Sequence, residues 1–462
     1  MTDYRIEKDS MGEVKVPSHA LWGAQTQRAV ENFPISGRPI PPGMIHAFGR
    51  VKRAAALVNL ERGAMEARIA QAIVAAATEV VEGKLDAQFP VDVFQTGSGT
   101  SSNMNANEVI ANRAIQLLGG EVGTKVPAHP NDHVNRGQSS NDVVPTVIHL
   151  AALEAFRQDL LPALRLLGDA LDEKACAFDP IVKIGRTHLQ DAVPVRLGQE
   201  FSGYAQQVKN AIRRIESTEH ALCELALGGT AVGTGLNAEP GFSEAVIAQL
   251  AEEAGLPLKQ APNLFEALAA QDAVVEASGA LRTVAVSLTK IAEDIRWLGS
   301  GPRCGLGELV LPDLQPGSSI MPGKVNPVMS EMMVMVCAQV LGNDVTVAIS
   351  GQQGHFELNT MLPVMAANLL SSVTILANAC RAFTRNCIQG LEADEARCEQ
   401  MVERSLAMVT ALAPVIGYDA AAALAHEAHA TGRTIRELCL EKKVLPEVEL
   451  TRLLDARKMT GE

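Results

Sequence analysis

The chain has 462 residues, a formal net charge of −13 and a pI near 5.4. It contains no Lys/Arg-rich run, so nucleic acids and anionic membranes are not expected as partners. Hydrophobic residues make up 47% of the chain but aromatic residues only 3%, which indicates a core of aliphatic side chains. A chain of this length predicts two or three domains, or one extended helical core.

The eight cysteines are scattered and form no C-x-x-C pair. This pattern predicts reduced thiols, with no disulfide framework and no zinc site. The N-terminus lacks an apolar signal core, and no uninterrupted apolar run reaches the roughly 18 residues needed to span a bilayer. We therefore expect a cytoplasmic protein with no membrane partner.

The first part of the chain predicts loops followed by helices. Residues 1–40 mix Gly, Pro and polar residues and are expected to be rich in loops before a helix at 44–62. The alanine-rich segment 64–82 predicts a second helix that ends at Gly83. A third helix is predicted from Asn103 to the glycine pair at 119–120.

Two polar clusters stand directly before predicted helices. The segment Gly97–Ser102 reads GSGTSS, and residues 139–141 read SSN. Free N–H groups and the helix dipole favour anions at such positions, although Ser and Thr there more often only cap the helix. No phosphate-binding loop or strand-bounded G-x-G-x-x-G occurs, so nucleotide binding is not expected.

Further along, a polar cluster at 184–194 carries Arg186, Thr187 and His188 in a predicted loop. Leucines along 150–171 recur at steps of three or four residues or at their sums, and a similar apolar stripe occurs at 281–298. Both patterns are typical of bundle helices. The segment at 332–341, MMVMVCAQVL, is apolar on every face, which indicates burial, more readily against other subunits than inside a monomer.

The loop Gly317–Pro327, GSSIMPGKVNP, combines hydroxyls with one cation. Its two prolines remove N–H donors, and Gly317 and Gly323 permit backbone conformations that bring amides close to a ligand. A surface connection of this composition is common, yet the loop could also hold an anion. Metal-ligand and serine-esterase patterns are missing from the sequence, so acid/base work on a small anion remains.

These features predict an all-α protein built on an elongated helical bundle. Small, mostly helical domains are expected at both ends of the chain. We place the N-terminal domain at 1–138, the central bundle at 139–392 and the C-terminal domain at 393–462.

The loop GSSIMPGKVNP resembles the signature loop of the fumarase/aspartase superfamily. The segments TGSGTSSNMNANE, HPNDHVNRGQSSND, GRTHLQDA and ELALGGTAVGTGLN match other motifs of the superfamily in the same order. His188 and the HPND sequence resemble the iron-independent fumarases more than the aspartases, which typically carry glutamine and HPNN there.

The resemblance implies reversible addition of water to fumarate, giving (S)-malate through an aci-carboxylate intermediate, without metal or other cofactor. By analogy Ser318 is the base for the C3 proton, Lys324 stabilises the aci-carboxylate, and His188 with Glu331 handles water. The implied substrate-binding positions are Ser98, Gly99, Thr100, Ser139, Ser140, Asn141, Thr187, Ser319, Lys324, Val325 and Asn326.

The resemblance also implies a homotetramer with a multi-helix core and active sites shared by three subunits. A second dicarboxylate site is implied at His129, Pro130, Asn131 and Asp132. Two departures from the pattern stand out: Val126 replaces a frequent arginine, and residues 360–363 read TMLP. An aspartase-type ammonia-lyase and a non-catalytic relative are the alternatives.

Overall fold

The computed structural model describes residues 3–461, and most of them are helical. The longer helices are α1 Ala24–Asn32, α2 Pro42–Glu61, α3 Ala67–Val81, α4 Thr100–Leu117, α5 Ser140–Ala155, α6 Leu161–Ala177, α7 Leu197–Leu222, α8 Phe242–Ala254, α10 Asp272–Leu298, α11 Val328–Gly351 and α12 Leu362–Phe383. Shorter helices are α9 Leu264–Ala269, α13 Glu395–Arg404, α14 Ala413–Ile416, α15 Tyr418–Thr431, α16 Ile435–Glu441 and α17 Glu447–Leu453. The predicted all-α class is confirmed.

The strands are short and, within residues 3–461, pair into five two-stranded sheets. Four pairs are antiparallel, and the parallel pair joins β5 to β6. The strands are β1 Tyr4–Asp9, β2 Gly12–Pro17, β3 Val182–Thr187, β4 Gln190–Arg196, β5 Glu224–Leu225, β6 Lys259–Gln260, β7 Leu309–Val310, β8 Gly354–His355, β9 Leu358–Asn359 and β10 Glu392–Ala393.

The prediction that residues 1–40 are mostly loop is wrong in part, because β1, β2 and α1 lie there. Side chains from the surrounding chain stabilise these elements. The Arg5 guanidinium donates hydrogen bonds to the carbonyl oxygens of Ala20 and Trp22, each at 2.6 Å. Glu108, on α4, accepts hydrogen bonds from N–H groups at the start of α1. Such distant partners leave no local sequence signal.

Contacts divide the chain into two compact units. The first contains the chain up to Pro162, with Arg213–Ala285 and Ala338–Ala377. The second contains Ala163–Ile212, Val286–Cys337 and Asn378–Glu462. These units combine segments that are distant in sequence, whereas the predicted domains 1–138, 139–392 and 393–462 are consecutive. The predicted division therefore stays a prediction.

The C-terminal segment is helical, as predicted, and has a hydrophobic cluster of its own. Residues from α13, α15, α16 and α17 contribute to this cluster, together with two residues of the turn between α13 and α14 and the residue that follows α17. They are Val402, Met408, Leu412, Leu424, Ala428, Ile435, Leu438, Cys439, Leu450 and Leu454. Burial of these aliphatic side chains stabilises a set of helices that are individually too short to be stable in water.

Helix α11 contains the all-round apolar segment, and in the single chain it is not buried on every side. Met335 is 66% exposed, Val345 57% and Ile349 50%, whereas Met333 and Val340 are buried. Both faces of α11 are apolar, yet one face is buried and the other is exposed. Packing within the chain therefore does not account for the apolar residues on the exposed face.

Two helical segments are long and apolar enough to cross a bilayer, Val328–Gly351 and Leu362–Ile388. Neither is an uninterrupted apolar run, which is why inspection of the sequence did not identify them. Because core helices of soluble proteins have the same length and composition, this property is weak support for a membrane location.

Candidate active site

The GSGT loop in the first unit is held against the chain that precedes α12. The N–H of Leu362 donates to the carbonyl oxygen of Gly97 at 2.9 Å. A β-carbon on Gly97 would lie 1.8 Å from the carbonyl oxygen of Thr360, so only glycine fits this position. The hydroxyls of Ser98 and Thr100 hydrogen-bond to each other at 2.8 Å. The TMLP segment thus forms one wall of the loop.

Gly99 turns the GSGT loop into α4. Its φ of +75° is in the left-handed region, which glycine adopts without a steric penalty. A β-carbon there would lie 2.8 Å from the Val144 side chain on α5, so the loop lies against the helix that begins with the SSN cluster. The Thr100 end of α4 presents N–H groups and the positive end of a helix dipole.

The SSN cluster forms the N-terminus of α5, as the sequence predicts. Ser139 caps the helix: its hydroxyl accepts from the N–H of Asn141 at 3.2 Å. In return Asp142 accepts from the N–H of Ser139 at 2.9 Å, which completes a capping box. The Asn141 amide donates to the carbonyl oxygen of Ala231 at 2.8 Å. Capping therefore fixes the cluster without excluding a ligand.

Asp142 was not identified from the sequence, yet it is fully buried beneath the SSN cluster. Its second carboxylate oxygen accepts from the N–H groups of Gly228 at 3.0 Å and Thr230 at 2.9 Å. Burial raises the pKa of Asp142, while these N–H donors and the Lys52 charge oppose the rise. The carboxylate thereby joins the glycine-rich GGTAVGTG segment to the SSN cluster.

Lys52, in the middle of α2, is also fully buried and was missed. Its ammonium donates to the amide oxygens of Asn135 at 2.9 Å and Gln138 at 3.0 Å. The Asn103 amide reaches both Asn135, at 3.2 Å, and the Ser140 hydroxyl, at 3.1 Å. Burial lowers the pKa of Lys52 to about 7, although the charge of Asp142 opposes this shift. A single lysine in the sequence of an amphipathic helix does not indicate that its side chain is buried and hydrogen-bonded in this way.

The proposed second-site segment forms one irregular helical turn, Pro130–Val134. His129 caps it, because its Nδ1 accepts from the N–H groups of Asn131 and Asp132, each at 3.2 Å. Val126, in the position where an arginine is frequent, is exposed. The segment is therefore ordered by its own histidine.

In the second unit, His188 lies in a hairpin turn and not in a loop before a helix. Strands β3 and β4 pair antiparallel from Val182↔Arg196 to Thr187↔Gln190. His188 and Leu189 form the two-residue turn with φ of 55° and 59°. Two positive φ values suit the right-handed twist of the strands but are uncommon for residues other than glycine. The turn presents the imidazole to solvent.

A cluster of buried charges supports this hairpin. Arg186 forms two hydrogen bonds of 2.9 Å to the carboxylate of Glu308, which is fully buried. Lys183, also fully buried, donates to Glu200 at 2.9 Å and lies 3.4 Å from Glu308. Two cations and two anions leave the cluster formally neutral, as burial requires. The hairpin base is therefore fixed while its tip is exposed.

The signature loop closes on itself in the second unit. The N–H of Gly317 donates to the carbonyl oxygen of Lys324 at 2.7 Å, and the Asn326 amide donates back to Gly317 at 2.7 Å. A β-carbon on Gly317 would lie 2.6 Å from the Lys324 carbonyl oxygen, and Gly323 has φ of +79°. Both glycines are thus required, for different reasons. The Lys324 ammonium donates to the side-chain oxygen of Asn326.

Ser318 lies inside this closed loop. Its hydroxyl oxygen accepts from the N–H groups of Ile320 at 3.2 Å and Met321 at 3.0 Å. Two converging N–H groups favour negative charge on that oxygen. Ser319 and Val325 are on the same loop and are exposed.

Glu331 is in the first turn of α11, half-buried. No hydrogen bond or ion pair among residues 3–461 joins it to His188, so their pairing stays a prediction. The same described range contains no group of three or more His, Cys, Asp and Glu side chains placed to hold a metal ion. The two units thus carry different parts of the predicted site. The loops predicted to bind carboxylates lie in the first, and His188 and the signature loop lie in the second.

This helical fold is shared with solved lyase structures, and the family matches assign the chain to the same class. The family described as Lyase matches residues 12–342, and the family described as Fumarase C C-terminus matches residues 408–461. The chain belongs to this lyase family, in its fumarase branch.

Relatives of known name agree over the whole length. The mitochondrial fumarate hydratase of Dictyostelium discoideum is 56% identical, covering 100% of this chain and 96% of its own. The class II fumarate hydratase of Rhizobium meliloti is 54% identical, covering 100% of both. The crystal structure of class II fumarase from Schistosoma mansoni superposes with a TM-score of 0.96 at 40% identity, covering 99% of each chain.

Replacing Gly97 by Ala should destabilise the first unit, because the new β-carbon collides with the Thr360 carbonyl. We expect the free energy of unfolding to fall by at least about 1–3 kcal/mol, the usual cost of overpacking. Gly43→Ala is the matched control, since nothing lies within 4 Å of a β-carbon there. Denaturant unfolding at one protein concentration compares them. Equal stabilities would contradict the close approach.

Replacing Lys52 by Met should change how stability depends on pH. The pKa of Lys52 is about 7 in the folded chain and near 10.5 ordinarily, so the unfolded chain binds the extra proton between these values. Stability of the natural protein therefore rises with pH in this window, by up to about 1.4 kcal/mol per pH unit.

The Lys52→Met variant lacks this contribution. Unfolding both proteins at pH 7.5 and pH 9.5 measures it together with the coupled Asp142 carboxylate, because the remaining titrating groups are shared. Stability differences of the same size at the two pH values would show that the Lys52 ammonium is not desolvated as described.

Proposed function

We propose that the chain catalyses the reversible addition of water to fumarate, giving (S)-malate, as a class II fumarate hydratase. The observation that carries this proposal is the closed signature loop, in which two N–H groups converge on the Ser318 hydroxyl oxygen. The full-length relatives named fumarate hydratase support the same reaction. No observation favours ammonia elimination or a non-catalytic role.

In this proposal Ser318 removes the C3 proton of malate. A serine hydroxyl is a very weak acid, so its alkoxide must be stabilised before it can serve as a base. The N–H groups of Ile320 and Met321 are within hydrogen-bond distance of that oxygen. They supply fixed dipoles that need no reorganisation when the charge develops.

Removal of the proton leaves an aci-carboxylate with two negative charges at one end. Lys324 supplies a compensating cation, and Asn326 orients it through the hydrogen bond between their side chains. Asn326 is itself held by Gly317, so the cation is tied to the backbone of the loop. Charge stabilisation placed in advance is the usual source of catalysis at such centres.

His188 is proposed to handle water on the opposite face, with Glu331 orienting its imidazole. The exposed hairpin tip makes the imidazole available to a ligand, and positive φ at a non-glycine residue is typical of functional positions. Hydroxyls, amides and N–H groups of the two clusters before α4 and α5 are proposed to bind the substrate carboxylates. The residues are Ser98, Gly99, Thr100, Ser139, Ser140 and Asn141, and Thr187 is proposed to bind with them.

We further propose that these parts are completed by self-association into a homotetramer. Three subunits would contribute residues to each active site, so His188 and Glu331 need not meet within one chain. The exposed apolar face of α11 supports this, since Met335, Val345 and Ile349 would otherwise remain in water.

Three finer features belong to the same proposal. A cytoplasmic location is proposed, although the relatives include mitochondrial enzymes. The proposed reaction scheme uses only groups of the protein, so we propose that catalysis needs no metal ion. Binding of a second dicarboxylate at His129, Pro130, Asn131 and Asp132 is proposed with Val126 in place of the arginine.

Replacing Ser318 by Ala should lower kcat by about 10²- to 10⁴-fold with little change in KM, because the base acts only in the transition state. Ser217→Ala, on the exposed surface of α7, is the matched control and should keep normal turnover. Fumarate absorbance reports the rate from malate. Near-normal kcat in Ser318→Ala would remove this serine from the role.

Replacing His188 by Asn should abolish most of the water chemistry while keeping the hairpin, because asparagine tolerates positive φ. We expect the natural enzyme to form fumarate from (S)-malate and not from aspartate. The variant should lose about 10²-fold or more in kcat, because the group proposed to exchange a proton with water is removed. Fumarate from aspartate alone would show an ammonia-lyase, and near-normal kcat in the variant would assign the water step elsewhere.

A further inference from the structure

The second unit contains a cavity of about 430 Å³ that the proposed hydration does not use. Its walls include Arg186, Arg397 and Arg404, together with Trp297. Leu189, the neighbour of His188 in the hairpin turn, also lines it. Neither the signature loop nor the two serine-containing clusters contribute to its walls.

The cavity carries positive charge that nearby carboxylates do not neutralise. Arg186 is matched by Glu308, but Arg397 uses its guanidinium on neutral acceptors: the carbonyl oxygens of Leu306 at 2.9 Å and Gly305 at 3.0 Å, and a glutamine side chain. Arg404 has no hydrogen-bond or ion-pair partner among residues 3–461. In a protein with a net charge of −13, this local excess of guanidinium groups favours an anion.

Asp191 also faces the cavity and opposes part of this charge. Asp191 contributes one negative charge. Arg397 and Arg404 contribute two positive charges, and neither guanidinium group has an acidic partner in the part of the chain that the structure describes. The balance in the cavity is therefore positive. Arg404 is the group best placed to bind an incoming anion, because its donors are uncommitted and its guanidinium can bind a carboxylate or phosphate with two hydrogen bonds.

The remaining wall is apolar and partly open. Trp297 is 53% exposed and Leu189 72% exposed, so the indole has a free surface in water. An indole face binds flat apolar groups and cations through its π electrons. The volume of about 430 Å³ falls within the range of about 300–1,000 Å³ typical of pockets for drug-sized ligands. A ligand that fills it must be larger than a four-carbon dicarboxylate.

We propose that this cavity is a binding site for a small anion that carries a flat ring. The ring packs on Trp297, and the carboxylate or phosphate binds to Arg404 and to the outer edge of Arg397. The site is separate from the proposed substrate site. Its ligand touches Leu189, next to His188, and so contacts the hairpin turn.

Titration of the full-length protein tests this without measuring turnover, so the result does not depend on the proposed hydration. The chain has two tryptophans, and Trp22 is buried, so quenching of exposed indole fluorescence reports on Trp297. The ringed probes are adenosine 5′-monophosphate and phenylacetate; inorganic phosphate and acetate are the ringless ones. Calorimetry of the same titrations gives the dissociation constant independently of fluorescence.

Saturable quenching by at least one ringed anion is expected, with much weaker binding of the ringless ones. Binding of the phosphate compound alone identifies a phosphate-bearing ligand, and binding of phenylacetate alone identifies a carboxylate. Arg404→Gln should weaken the ringed anion by about tenfold or more, as for loss of a charge-assisted hydrogen bond. Arg38→Gln, an exposed arginine of the first unit, has the same change of charge and should not weaken it.

Three results would overturn the proposal. The first is the lack of saturable binding by both ringed anions. The second is binding of inorganic phosphate or acetate as tight as that of the ringed compounds, because the Trp297 wall would then be irrelevant. The third is equal binding by the Arg404→Gln and Arg38→Gln proteins, because the anion would then be held elsewhere.

Discussion

The buried carboxylate of Asp142 is the constraint on which the polar loops of the first unit depend. A charge removed from water must be paired and hydrogen-bonded, and Asp142 meets this requirement with three backbone N–H groups and the nearby ammonium of Lys52. These partners come from three separate segments of the chain. Satisfying one carboxylate therefore fixes the SSN cluster, the glycine-rich segment and α2 together.

The second unit uses the same physics around Glu308. Arg186 and Lys183 approach this buried carboxylate from β3, so the strand cannot shift without leaving a charge unpaired. The His188 turn at the other end of the strand is exposed and can meet a ligand. In both units, charges that take no direct part in the proposed reaction hold in place the groups that do.

Helix N-termini link this framework to the proposed chemistry. The GSGT loop leads into α4, the SSN cluster into α5 and the signature loop into α11. Each helix start has N–H groups without partners inside the helix, which favour bound anions. At α5 part of this requirement is met within the chain, because the Ser139 hydroxyl accepts from the N–H of Asn141. A dianionic substrate suits such a set of loops despite the protein's overall negative charge.

Local pattern was sufficient for the helices and for the composition of the loops. The segments predicted at 44–62 and 64–82 are α2 and α3 to within a few residues, because helix propensity and apolar spacing act over short range. The β3–β4 hairpin was missed because neither His188 nor Leu189 is a residue typical of a tight turn. The β1–β2 pair was missed because Arg5, on β1, donates to the carbonyl oxygens of Ala20 and Trp22, which lie 15 and 17 residues further along the chain.

The sequence by itself determined the all-α class, the polar clusters and, through motif order, the lyase family. Only the tertiary structure decided that Lys52, Asp142 and Glu308 are buried, that Gly97 touches the Thr360 carbonyl and that Trp297 borders a basic cavity. The physical reason is range: helix propensity and capping depend on neighbours within a few residues. Desolvation, ion pairing and cavity shape depend on groups brought together from distant parts of the chain.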